Sequence, residues 1–172
     1  RGGVRRPPAA GDGRGMTTEG NSAATFELED LLRRLEDSRI AFTEAMEECP
    51  PEAFGSNDPN SESVRRALER TSDELNFYYG FLAARALNLP QPPCLQKADF
   101  LSLREAKISL LVSHRRFTNL LHDLIPADLE RTAKDEEGGT YTLRQVLEMA
   151  AGQYRLRAQQ VRRLVAGAAQ AR

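Results

Sequence analysis

The chain has 172 residues, 40% of them hydrophobic and 28% charged, with a formal net charge of −1 at pH 7. That is the size and mixture of one soluble globular domain with a core of its own. It argues against a membrane-spanning protein, because no run approaches the roughly 20 apolar residues of a span, and against a dedicated nucleic-acid binder, because no Lys/Arg stripe with interleaved aromatics occurs.

Residues 1–15 carry four Arg and one Asp, so this start has a charge of +3 and the remainder −4. Gly, Pro and Arg dominate it, a composition that cannot bury enough apolar surface to fold. The expectation is a disordered basic tail over residues 1–24. A basic tail can touch nucleic acid; the plainer reading is an upstream extension before a start at Met16. The first 25 residues hold no apolar run of the kind a secretory signal needs.

Four amphipathic helices follow from apolar residues at three- and four-residue steps. The first is expected from about Phe26 to Glu48, with Thr25 as N-cap and a stripe of Leu28, Leu31, Leu32, Leu35, Phe42, Ala45 and Met46. The second runs from about Val64 to Leu87 on Val64, Leu68, Thr71, Leu75, Tyr78 and Leu82, and stops at Asn88 and Pro90. The third starts near Leu103 behind a Ser102–Glu105 capping box and uses Leu103, Ala106, Leu110, Phe117, Leu120 and Leu124. The fourth starts after Thr142, which pairs with Gln145 in a second capping box. Between the last two, residues 132–141 suit a short turn or hairpin with Gly138 and Gly139 at its tip.

The chain repeats itself weakly. Pro50-Pro51-Glu52-Ala53-Phe54 is echoed by Pro126-Ala127-Asp128-Leu129, and Ser63 to Glu69 by Thr142 to Glu148. Two helical hairpins that bury their stripes against each other are expected, joined by a proline-containing linker, residues 88–101, long enough to cross the bundle. The expected domain is therefore an all-α four-helix bundle over residues 25–167, with residues 168–172 frayed. Cys49 and Cys94 show no CxxC spacing, which indicates ordinary thiols in a reducing cytoplasm rather than a zinc site or a disulfide. His114 and His122 lie eight apart on the third helix, some 80° apart around it. His114 is expected to pack or hydrogen-bond at the edge of the stripe.

The fourth helix holds the most informative feature. Leu143, Val146, Leu147, Ala150, Tyr154, Val161 and Leu164 form its stripe, yet Arg157 stands where a core residue belongs, and Gln153 lies one turn before it. Polar groups on a packing face must find partners.

The segments PPEAF, SESVRRALER, LIPADLER and GGTYTLRQVLEMAAGQYRLRAQQV, in this order across residues 25–165, resemble the DinB-like superfamily of bacterial four-helix bundles. That superfamily includes stress-associated proteins and thiol-dependent S-transferases. The resemblance implies a divalent-metal site of three histidines, one in the second helix and two in the fourth. In this sequence those positions carry Arg70, Gln153 and Arg157, so the resemblance points to a metal-free member without a cofactor. Three readings follow. The replaced site is an internal salt-bridge network with Asp37, Glu44 or Glu74 as the acid. Or it is a pocket for a small anionic ligand, with Arg70, Gln153 and Arg157 as donors and Tyr78 and Tyr154 as walls. Or, with its arginines activating a thiolate, it serves a low-molecular-weight-thiol S-transferase. Apolar surplus on the third helix (Leu101, Ile108, Leu110, Leu111, Val112 and Phe117) adds an expected homodimer.

Overall fold

In the computed structural model, which describes residues 18–55, 62–91 and 96–170 (side chains from residue 22), four helical rods and one small hairpin form. The first rod is α1 (Thr18–Glu47). The second is continuous but changes pitch: α2 (Val64–Asp73), a π-helical turn (Glu74–Tyr79), then α3 (Gly80–Ala86). The third is α4 (Leu103–Asn119) and the fourth α5 (Leu143–Gln170). The expected all-α class holds. Among the described residues no helix is long and apolar enough to cross a membrane.

The helix ends obey the local chemistry read from the sequence. Ser102 Oγ accepts from Glu105 N at 3.2 Å, and the Glu105 carboxylate reaches back to Leu101 N at 2.9 Å. Thr142 and Gln145 satisfy each other's backbone N–H at 3.2 and 2.9 Å. Asn88 takes the left-handed conformation, φ 54°, and Leu89 N and Asn88 N close back onto the carbonyls of Ala84 and Arg85. This is the Schellman arrangement that ends a helix by supplying partners to its last carbonyls. Both proline-led echoes become 3₁₀ turns, Pro51–Ala53 and Pro126–Glu130. The hairpin pairs β1 (Thr132–Lys134) with β2 (Thr140–Thr142), Ala133 opposite Tyr141. Gly138, at φ 90°, makes its turn.

Three boundaries differ from expectation. The first helix is already formed at Thr18, the first described residue, so Thr25 lies inside it rather than capping it. Residues 18–25 have no apolar stripe and Phe26 is exposed, so periodicity had nothing to register there. α5 continues to Gln170, past the expected fraying point. The remainder of the basic tail, Cys94 and residues 171–172 lie outside the described residues. The π turn is the third difference. Gly80 makes it possible: a Cβ there would stand 2.7 Å from the Leu75 carbonyl oxygen. Across the turn Tyr79, not Tyr78, takes the core position.

The stripes meet in one core. Leu31, Phe42, Val64, Leu68, Leu82, Phe117, Leu143, Leu147 and Val161 are almost wholly buried. Truncating any one of the leucines to alanine would cost about 2–5 kcal/mol. The contacts join one helical hairpin to the other. α1 packs chiefly on α5, α5 also on α2, and α2 on α4. Contacts set the directions. Glu27 pairs with Arg144 and Glu48 with Arg162, so α1 and α5 run the same way. Glu47 with Lys107 and Glu36 with His114 make α4 antiparallel to α1.

Candidate functional site

The residues singled out in the sequence divide among three places. The first is the interior face between the second rod and α5. Arg157 is buried there, and its Nη2 donates to Glu74 Oε1 at 2.7 Å. Gln153 Nε2 donates to the same oxygen at 3.1 Å, and Arg157 Nη1 donates to Gln160 Oε1 at 2.8 Å. Gln160 continues the chain to Glu62, which also accepts from Arg70 at 3.4 Å. Glu74 opens the π turn.

So the acid expected as Glu74 is confirmed, while Asp37 and Glu44 serve elsewhere. Asp37 pairs with Arg33 on the α1 surface and Glu44 reaches only Arg162. Arg70 does not converge with Arg157. It is more than half exposed and meets the network only through Glu62. Two buried atoms of the pair, Glu74 Oε2 and Arg157 Nε, have no hydrogen-bond partner. A buried ion pair satisfied only in part links its two helices at an energetic cost. Guanidinium groups do not ligate metal ions, so the residues at the three resembling positions do not fit one. Among the described residues no three His, Cys, Asp or Glu side chains converge on a point that would hold an ion.

Tyr154 lies in a second place. It projects from α5 into a cavity of about 230 Å³ between α1, α4 and α5. The inner wall is Phe42, Met46 and Leu110, and the rim holds Arg39, Thr43, Glu47, Lys107, Ile108 and Leu111. Three polar lining groups, Arg39, His114 and Tyr154, are linked through Glu36 behind them. Arg39 grips the Glu36 carboxylate with two donors, at 2.9 and 2.6 Å. Glu36 Oε2 lies 3.6 Å from His114 Nε2, and His114 Nδ1 lies 2.8 Å from the Tyr154 hydroxyl. Burial first, and then the Arg39 charge, push His114 down to about 4, against the smaller opposing pull of Glu36. Burial likewise raises Tyr154, and the Arg39 guanidinium holds Glu36 below the usual carboxylate range. The imidazole is therefore neutral at pH 7. With its Nε2 proton directed at Glu36, Nδ1 accepts from the Tyr154 hydroxyl.

His114 lies at the edge of the α4 stripe in the hydrogen-bonding role its spacing predicts. Helical spacing alone does not single out Glu36, Arg39 or Lys107. A signal was present: between Leu35 and Phe42 the α1 stripe is interrupted by Ser38 and Arg39, as Arg157 interrupts α5. His122 is fully at the surface beside Asp123 and belongs to no site. Cys49 is a buried free thiol whose titration is raised by burial, so it is not poised as a nucleophile.

Tyr78 occupies the third place, beside Tyr141 of the hairpin and among carboxylates rather than arginines. The expectation that it walls an anion pocket with Arg157 is not met. None of the three sites brings Arg70, Gln153, Arg157, Tyr78 and Tyr154 together.

No family model, no curated protein and no solved structure matches this chain.

Proposed function

We propose that this chain is a metal-free DinB-like bundle that acts as a binding module, taking a small, mainly apolar carboxylate into the cavity between α1, α4 and α5. The observation that carries the reading is the composition of that cavity. An apolar wall ends in the His114–Tyr154 pair, with the cations Arg39 and Lys107 at the rim. A carboxylate head is favoured near two cations, and an apolar tail gains from Phe42, Met46 and Leu110. Both cations already hold carboxylates, Glu36 and Glu47, so a ligand carboxylate exchanges with an internal one.

In this reading the Glu74–Arg157 pair takes over the interior cross-link that a metal supplies in the resembling superfamily. The linker between α3 and α4 is then the crossover of the bundle. Its return along α2 supports this: Ala98 N donates to Asp73 at 2.8 Å and Phe100 N to Glu69 at 2.9 Å. The buried thiol of Cys49 accords with a reducing cytoplasm. A thiol S-transferase is the weaker reading, because a histidine titrating near 4 is a poor base for a thiol at neutral pH.

A second reading concerns partners. Leu101, Ile108, Leu111 and Val112 of the third-rod region are 83, 56, 56 and 43% exposed, which favours a homodimer through α4. Such a dimer would also cover the cavity rim at Ile108 and Leu111.

The test is calorimetric titration of the full chain with a series of linear carboxylates and the matching alcohols and amines. Saturable binding of carboxylates, weakened in Arg39→Gln and retained in the paired variant E74L/R157M, supports the proposed site. Loss of binding in E74L/R157M with retention in Arg39→Gln would return the site to the buried arginine. No saturable binding by any carboxylate would remove the ligand-binding reading.

A further inference from the structure

The cleft that holds Tyr78 is lined mainly by aromatic rings and carboxylates. It encloses about 250 Å³ between the second rod and the hairpin. Phe77, Tyr78, Phe81 and Tyr141 supply four aromatic rings, and Asp135, Glu136 and Glu137 three carboxylates. No Lys or Arg lines it. Elsewhere on this protein acidic side chains are mostly matched to arginines, as at Glu36, Glu74 and Asp128.

The geometry points to a site for an alkylated ammonium head group, held over the rings of Phe77, Tyr78 and Tyr141 and balanced by Asp135 and Glu137. Aromatic faces attract cations through their quadrupole, most strongly where water is thinned and the cation is weakly hydrated. This cleft already shows that preference at its margin, where the Arg85 guanidinium stands 4.0 Å from the Phe81 ring centroid. The space is built by the hairpin turn. Asp135 accepts from Glu137 N and Gly139 N through one oxygen, at 3.0 and 2.7 Å, which fixes the carboxylate at the edge of the cleft. Gly139 keeps the gap open, since a Cβ there would lie 2.9 Å from both Asp135 Oδ2 and the Tyr141 hydroxyl. The negative field is felt by Tyr78, which burial, Tyr141, Asp135 and Glu137 together push up to about 12. The volume is below the roughly 300–1,000 Å³ of drug-sized pockets, so the guest is a head group rather than a large molecule. The same chemistry is offered by a free quaternary amine and by a methylated lysine side chain.

The site is tested on the full chain by calorimetric titration with tetramethylammonium chloride and choline chloride, against sodium chloride at equal ionic strength. The neutral isostere 3,3-dimethyl-1-butanol serves as the uncharged control, and a trimethyllysine peptide as the side-chain source. Saturable binding of the cations is expected, with the isostere much weaker. Phe77 and Glu137 are both solvent-exposed, so the double variant F77A/E137Q should fold as the parent does, and its binding should be about tenfold weaker. Tighter binding of the peptide than of choline assigns the source to a protein side chain; the reverse assigns it to a free amine, and either supports the site. No saturation by either cation, equal binding of the isostere, or undiminished binding by F77A/E137Q overturns it.

Discussion

The pair Glu74–Arg157 is the sharpest point of attack on the bundle's interior, because its two ends are unequally placed. The Arg157 side chain is 10% exposed and that of Glu74 27%. Glu74→Leu leaves a guanidinium in the core without its carboxylate, and a buried charge that loses its partner costs about 3 kcal/mol. Arg157→Met leaves a carboxylate that is less deeply buried than the guanidinium and keeps the Gln153 donor, so the loss is smaller, about 1–2 kcal/mol. The double variant removes both charges together with two unsatisfied atoms, and should lie within about 1 kcal/mol of the parent. For a chain of this length 1 kcal/mol moves Tm by about 2–4 °C, so Glu74→Leu should lower it by about 6–12 °C and the double variant by only a few degrees. Thermal and urea unfolding of the four proteins, analysed as a double-mutant cycle, measure this directly. Additive losses in the double variant would refute the pairing, and a fall below about 2 °C in Glu74→Leu would refute the buried cross-link.

Three further outcomes follow from named contacts. His114 titrates near 4 in the folded chain against 6.5 unfolded, beside Glu36, Arg39 and Tyr154. The unfolded chain therefore binds the extra proton first, and stability falls as pH drops from about 6.5 to about 4, by about 3 kcal/mol, then levels off for this group. His114→Asn should flatten that part of the urea-midpoint profile; an unaltered profile would mean the imidazole is not held neutral. Gly80→Ala places a methyl 2.7 Å from the Leu75 carbonyl oxygen and should cost about 1–3 kcal/mol in urea unfolding. An unshifted midpoint would show that the π turn does not need glycine. Light scattering after gel filtration should find a dimer that Ile108→Glu and Leu111→Glu dissociate, whereas a parent chain that stays monomeric at high concentration would leave α4 without a partner.

Much of the fold was legible because it depends on neighbours in the chain. Apolar spacing located the four helices, and hydroxyl–carboxylate or hydroxyl–amide pairs three residues apart marked starts at Ser102 and Thr142. Asn88 marked a stop, and Gly138 marked the hairpin. What periodicity missed was helix without an apolar face, residues 18–25, and the π turn, where the one-residue shift that puts Tyr79 in the core depends on Gly80 meeting Leu75 across the turn.

The site was less legible, for a physical reason. The sequence by itself determined that Arg157 sits in a core stripe and needs a partner, and it offered Glu74 among the candidates. It did not determine which helix of one hairpin faces which helix of the other, since the same stripes fit α1 on α4 as well as the observed packing of α1 on α5. Only that tertiary choice brings Arg39 of α1, His114 of α4 and Tyr154 of α5 around one cavity, with Glu36 bridging Arg39 and His114. It also turns Tyr78 away from the arginines and toward the carboxylates of the hairpin. A stripe reports that a face is buried; the partner that buries it is decided by the energy of all the faces together.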